Sequence, residues 1–170
     1  MEGLSFSLKL LVQAYQHIHS YLLPPLLERI QDTLAAPDFP IHHHLDEIKY
    51  FGPIVTGTFL SELGLPQWFR SVDSVVAWFG LDPAVSMSAN KSTGSTHLTK
   101  RGSKPGRRMM WLVGRNWSHY VPQGRRLFLK ERQQHKRSYD AAVCVVAAKL
   151  VRIAFAMVRD GSHFEIEKAF

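Results

Sequence analysis

The sequence predicts an all-α protein. A helical arm leads into a multi-helix domain that holds a helix-hairpin-helix-like pair and a long Ser/Thr/Gly-rich basic loop. Three observations support this. Apolar residues recur three and four apart along most of the chain, the spacing of one helix face. Apolar/polar alternation, the mark of a half-buried strand, is nowhere sustained. Proline and glycine fall where short helices would begin and end. With 170 residues, 45% of them apolar, the chain can bury one real core and is not disordered by composition.

Leu4, Leu8, Leu11, Tyr15, Ile18 and Leu22 form a narrow apolar seam on a first helix. Pro24-Pro25 should break or kink it, because proline removes an N–H and clashes with the preceding turn. A second helix is expected over Leu26–Leu34, and Ala36-Pro37-Asp38-Phe39-Pro40 reads as a linker. This gives an arm and linker at 1–40, a domain at 41–163 and a tail at 164–170. Within the domain, Leu45–Tyr50 is expected as a helix. Pro53 opens the next helix, which stops at Gly64. Ser71 caps Val72–Phe79, which Gly80 ends. Residues 81–104 are loop by composition. Further helices are expected at Gly106–Tyr120, at Gln123–Lys136 and at the apolar Tyr139–Arg159, which Asp160-Gly161 stops.

Several classes are disfavoured. No apolar run is read as reaching the roughly 20 residues of a membrane span, so no membrane partner is expected. Met1-Glu2-Gly3 lacks the positive start of a secretory signal. Cys144 is the only cysteine and sits in an apolar run, where a small buried hydrophobe is expected rather than a nucleophile. There is no phosphate-binding Gly-Lys-Ser/Thr loop, paired-cysteine zinc spacing or Gly-x-Ser-x-Gly elbow. His42-His43-His44 could take up a metal adventitiously. Three consecutive helical residues diverge, however, so no specific metal site is expected.

Charge is the strongest functional signal. Residues 91–137 hold 13 of the 21 Lys and Arg residues and one acid, Glu131, while the rest of the chain is net negative. The basic residues adjoin a hydroxyl-rich loop from Ser86 to Thr96. Such a surface suits an anionic phosphodiester backbone, and composition equally fits a solvated basic face beside a loop. Trp68, Phe69, Trp78, Phe79, Trp111 and Trp117 are candidates for stacking on bases, although aromatics at helical spacing more often form core.

Two stretches carry a resemblance. One is Gly80-Leu81-Asp82-Pro83-Ala84-Val85-Ser86-Met87-Ser88, followed by His97-Leu98-Thr99-Lys100-Arg101-Gly102-Ser103-Lys104 and Arg107-Arg108. The other is Ala147-Ala148-Lys149-Leu150-Val151-Arg152-Ile153-Ala154-Phe155-Ala156-Met157-Val158-Arg159-Asp160-Gly161. With Phe51-Gly52-Pro53 and Glu62-Leu63-Gly64, they resemble the C-terminal domain of the insertion-sequence one-ten family of transposases, over roughly residues 45–163. The preceding helix is similar to that family's linking coiled coil.

The resemblance implies a bridge-RNA-guided recombinase with a two-part active site. A RuvC-like domain supplies four acids holding a divalent metal such as magnesium, and the C-terminal domain supplies a serine that becomes covalently joined to DNA. The implied partners are DNA, a structured guide RNA, and further copies of the chain or a full-length transposase, in a bacterial cytoplasmic, nucleoid-associated setting. The family's Pro-x-x-x-x-Ser-Gly pattern maps to Pro83, Ser88 and Ala89. The methyl of Ala89 restricts positive φ where the family has glycine. Ser86, Ser92 and Ser95 are alternative bearers of the hydroxyl. Leu45–Gly64 resembles a helix-hairpin-helix, with Lys49-Tyr50-Phe51-Gly52 in place of Pro-Gly-x-Gly, so Tyr50 stands for the first glycine.

The chemistry is coherent. A serine hydroxyl attacks only once its proton is taken or the developing charge is stabilised, and a metal or clustered guanidiniums can do the latter. Ser88 is therefore the candidate nucleophile. Lys49, Gly52, Lys91, Lys100, Arg101, Lys104, Arg107, Arg108 and Arg115 are the candidate phosphate contacts. No four acids lie on predicted strands and no RuvC-like segment precedes the arm, so the chain is expected to carry no metal or other cofactor and to act as a fragment. The alternative is a non-catalytic DNA- or RNA-binding module or regulator. A weaker option is an interaction scaffold built on the N-terminal seam.

Overall fold

A computed structural model describes residues 2–36, 44–81 and 102–170, with side-chain surroundings from Phe6 onward. Every regular element among the described residues is helical. The chain divides into two units, Met1–Pro40 and Ile41–Phe170.

The first unit holds α1 (Glu2–His17) and α2 (Leu23–Ala35), joined by a π-helical turn, Ile18–Leu22. Of the break or kink expected at Pro24-Pro25, the break does not occur. Pro24 cannot donate to the carbonyl four residues back, and its ring would strike it. Widening the preceding turn, with Leu23 N–H bonded to the Ile18 carbonyl, absorbs the missing bond. Along the seam, Leu8, Leu11, Tyr15, Ile18 and Leu22 are all exposed.

In the second unit, Leu45–Glu47 is a single 3₁₀ turn. This corrects the helix expected over Leu45–Tyr50. Ile48 is already extended and Tyr50 has φ 72°, so helical geometry stops after one turn. Then come α3 (Pro53–Leu63), a 3₁₀ turn (Pro66–Trp68), α4 (Val72–Trp78), α5 (Lys104–Tyr120), α6 (Pro122–Gln133), α7 (Tyr139–Asp160) and a short α8 (Ile166–Ala169).

The boundaries follow local chemistry. Ser71 and Ser74 cap each other's backbone at the start of α4. Ser103 and Ser138 cap α5 and α7. Prolines open α3 and α6.

The core is built around α7, which lies against α4, α5 and α6; α5 also contacts α3. Trp117, Phe59, Phe79, Phe155 and Leu150 are fully buried, each contributing about 1.5–3 kcal/mol or more of transfer free energy. Gly114 lets α5 approach α7, since a Cβ there would sit 2.8 Å from the Ala147 Cβ. With 22 residues and a mean hydropathy of 2.2 over its most apolar 18-residue window, α7 is long and apolar enough to cross a membrane, contrary to the reading of the sequence. Much of that apolar surface is buried in the fold: 67% of its most apolar window is covered. Cys144, inside α7, is buried, and that burial pushes its thiol up to about 11. The segment read as a tail folds onto the domain: Phe164 meets Trp117 edge-on, and Phe170 stacks on it at 5.2 Å.

Candidate nucleic-acid interface

The site is organised by the last turn of α4. Gly80, at φ 65°, ends the helix in a glycine-dependent turn. Its N–H bonds the Ala77 carbonyl, and the N–H of Leu81 bonds that of Val76. Leu81 is buried. The chain is described again from Gly102, at the same place. Ser103 N–H donates to the Trp78 carbonyl at 2.8 Å. Gly102 has φ 98°, and a Cβ on it would collide with that carbonyl oxygen, so only glycine fits. Ser103 Oγ then accepts from Gly106 N–H at 2.8 Å and starts α5. Both flanks of the hydroxyl-rich segment, Leu81 and Gly102-Ser103, are thus fixed to α4. Ser88 lies outside the described residues, as do Ser86, Ser92, Ser95, Ala89, Lys91, Lys100 and Arg101.

α5 gathers three of the candidate cations. Lys104, Arg108 and Arg115 fall within a narrow arc of the helix and are all exposed. Half-buried Trp111 and exposed Leu112 lie along the same stripe. Arg107 does not join them. It is half-buried, its Nη1 is buried with no hydrogen-bond partner among the described residues, and its charge acts on the Cys144 thiol. Its guanidinium therefore leans toward the core. Glu131, the one acid of the basic window, is buried, with Oε2 2.7 Å from Arg137 Nε. It consequently does little to offset the outer positive surface.

The turn carrying Lys49 and Gly52 is tied to α5. The buried Trp117 Nε1–H donates to the Lys49 carbonyl at 2.7 Å. The Lys49 side chain is exposed, with Nζ 5.4 Å from the centre of the Tyr50 ring. Gly52 caps α3 in an extended conformation, and a Cβ there would meet nothing within 4 Å, so its surface is open. Tyr50, where the resembled hairpin has glycine, keeps a left-handed backbone.

The aromatic candidates divide. Trp117 and Phe79 are core, which removes them as base platforms. Trp68 (69% exposed) and Trp78 (47%) are on the surface. With Phe69, Arg70, Ser74, Ala77 and Gly102 they line a groove of about 500 Å³. Arg70 was missed from the sequence, where nothing local distinguishes it from any exposed arginine. Only the fold sets it beside two tryptophans and the return point of the loop.

A helical domain with an exposed basic stripe presents a surface that suits an anionic polymer. The comparison with known families is specific. The Transposase IS116/IS110/IS902 family matches residues 42–129, more than half of the chain, and the protein belongs to it. The match runs from the 3₁₀ turn at Leu45 into α6. It includes the 82–101 segment and all the candidate contacts, and α7 lies beyond it. No curated protein matches the chain. The protein thus carries a transposase domain, and DNA is the polymer on which transposases act.

Proposed function

We propose that this chain grips the phosphate backbone of DNA with the α5 stripe and presents Ser88 as the nucleophile for strand cleavage and transfer. The observation that carries the reading is the common anchorage at α4. The Ser88-bearing segment leaves beside Phe79-Gly80-Leu81 and returns through Gly102 into the first turn of α5, where Lys104 and Arg108 are exposed. A phosphate held by that turn would lie close to both ends of the segment. Ser88 Oγ gives up its proton and bonds phosphorus as the bond to the leaving sugar oxygen breaks, and the departing oxygen takes a proton, so the step is proton-neutral overall. The phosphoserine ester keeps the backbone's bond energy, so rejoining reverses these changes without a nucleotide. The resemblance implies that acids of a RuvC-like domain would hold a divalent metal, which would supply stabilisation of the developing charge.

Further parts of the proposal follow from the resemblance. The turn at Lys49–Gly52 acts as a helix-hairpin-helix-like phosphate contact. Base pairing with a guide RNA, rather than side-chain readout, chooses the sequence. The exposed seam of the arm joins copies of the chain or a full-length relative. The bare stacking groove at Trp68 and Trp78 offers an unpaired base a platform.

The test mixes the chain with the RuvC-like part of a full-length relative, magnesium and that relative's nucleic acids. The native chain is expected to form a covalent protein–DNA adduct and Ser88→Ala to form none. Unchanged DNA binding with no adduct from either would favour a non-catalytic binding module or regulator. An adduct that persists in Ser88→Ala and disappears in Ser86→Ala, Ser92→Ala or Ser95→Ala would move the nucleophile.

A further inference from the structure

A second constellation lies away from the α5 stripe and is unrelated to it. His44, Glu47 and His163 are brought together although 116 positions separate Glu47 from His163. One nitrogen from each histidine and one Glu47 oxygen all lie within 4.8 Å of one another. His163 Nδ1 is 2.7 Å from Glu47 Oε1, and His44 Nδ1 is 3.8 Å from the same oxygen. The two imidazoles face each other with centres 3.9 Å apart.

We infer that these three side chains form a binding site for a divalent transition-metal ion of the zinc type. Two imidazoles and a carboxylate are the borderline donor set such ions favour. Magnesium, which wants near-octahedral oxygen ligands, is poorly served by it. Ligands about 2.0–2.2 Å from a tetrahedral ion lie about 3.4 Å apart. The two histidine–Glu47 donor pairs are 2.7 and 3.8 Å apart and the histidine pair lies within 4.8 Å, so binding requires the imidazoles to turn out of their ring-on-ring packing until their in-plane lone pairs converge. The exposed side of His163 leaves room for a water as fourth ligand.

The carboxylate is also oriented from outside. Phe164 N–H donates to Glu47 Oε2 at 2.8 Å, which leaves Oε1 turned toward the imidazoles. Outer hydrogen bonds of this kind hold a ligating carboxylate in place. The ion would clip the turn before α3 to the segment that follows α7. That segment carries Phe164 and Phe170 onto Trp117, whose indole holds the Lys49 carbonyl. The metal therefore reinforces the hairpin from its far side. This departs from the expectation that the chain carries no metal. It also differs from the histidine tract read in the sequence: His44 is the member of that tract among the described residues, and its partners come from elsewhere in the chain.

The experiment uses the full chain freed of metal with a chelator. Zinc is titrated calorimetrically, and cobalt(II) is followed by its visible absorption. The expected result is one equivalent bound and a raised Tm. Saturation at 100 times Kd shifts the folding constant about 100-fold. Glu47→Gln and His163→Ala should each weaken binding more than ~10-fold, at least the cost of losing an outer-shell partner. Both residues are only partly covered or exposed, and circular dichroism confirms that the variants fold. The double variant His42→Ala, His43→Ala should bind like the native chain. No binding by the native chain would overturn the proposal. So would binding that survives His163→Ala but is lost in the His42/His43 variant, which would mark adventitious capture by the tract.

Discussion

Tyr50 shows how one residue can hold a turn at a cost. Its φ of 72° is a conformation that a bulky side chain rarely adopts, and the left-handed region costs an L-residue about 1–2 kcal/mol. The strain persists because Trp117 fixes the neighbouring Lys49 carbonyl and because the Tyr50 ring lies against Tyr120, with centres 6.4 Å apart. Tyr50→Gly and Tyr50→Ala both remove the ring from Tyr120, and only glycine also relieves the strain. After allowing for glycine's unfolded-state entropy, the glycine variant should be the more stable of the two by up to about 1 kcal/mol. Urea midpoints at constant m-value would show that order, and equal losses in both variants would refute the strain. Cys144 gives a second prediction at this scale. Burial first, and Asp140 second, hold its thiol neutral up to about 11, while Arg107 pulls the other way. An unfolded thiol ionises near ~8.5. Between those values only the unfolded state loses the proton, so this residue's contribution to stability falls as pH rises through that window. At pH 9 a thiol reagent should modify the native chain only as fast as the protein opens, and rapidly in denaturant.

At the scale of elements, close helix contact rather than surface charge positions the basic stripe. α5 can present Lys104, Arg108 and Arg115 outward because its other face reaches α7 through Gly114. Gly114→Ala would drive a methyl to 2.8 Å from the Ala147 Cβ and 2.9 Å from its backbone nitrogen. A cost of about 2 kcal/mol is expected, with partial recovery when Ala147→Gly is added, measured as a double-mutant cycle. Additive losses would mean the two positions do not meet. Helix ends of this kind were legible in the sequence where a cap or stop makes them: Ser71, Pro53, Gly64, Gly80 and Gly161 all act where their chemistry predicts. Other features were not legible, because their causes are non-local. The π turn before Pro24 answers a clash that composition does not show. The helix expected over Leu45–Tyr50 shrinks to one 3₁₀ turn, with Ile48 extended and Tyr50 left-handed. The tail becomes ordered by packing on Trp117, more than 40 positions away. Arg107 and Arg108 look equivalent as neighbours in the sequence, yet one leans inward and the other faces solvent. The pairing of His44 and Glu47 with His163 has no sequence signal at all.

At the scale of the whole molecule, two surfaces follow from exposure: the cationic stripe of the domain and the apolar seam of the arm. Binding to duplex DNA should weaken steeply with salt, because each neutralised phosphate releases condensed counterion. Replacing Lys104, Arg108 and Arg115 by Glu should lower the slope of log K against log salt by at least about 0.9 for each phosphate left without its cation. Arg107→Gln should change it less than Arg108→Gln does. A salt-insensitive affinity would contradict the proposed grip. The seam is tested separately. Leu8, Leu11, Tyr15, Ile18 and Leu22 are each about half exposed or more, an apolar stripe of a size that soluble helices normally cover. Leu11→Glu with Ile18→Glu puts two like charges on that stripe without touching the second unit's core. In sedimentation experiments the native chain should be an oligomer and the double variant a monomer. The monomer should keep the thermal unfolding of the Ile41–Phe170 unit and its per-site salt slope, while losing the apparent affinity that linked copies gain on long DNA. A native chain already monomeric at micromolar concentration would refute self-association through the seam. A variant that stays oligomeric would move the association surface elsewhere. A variant that loses the salt slope itself would show that the arm contributes directly to phosphate binding.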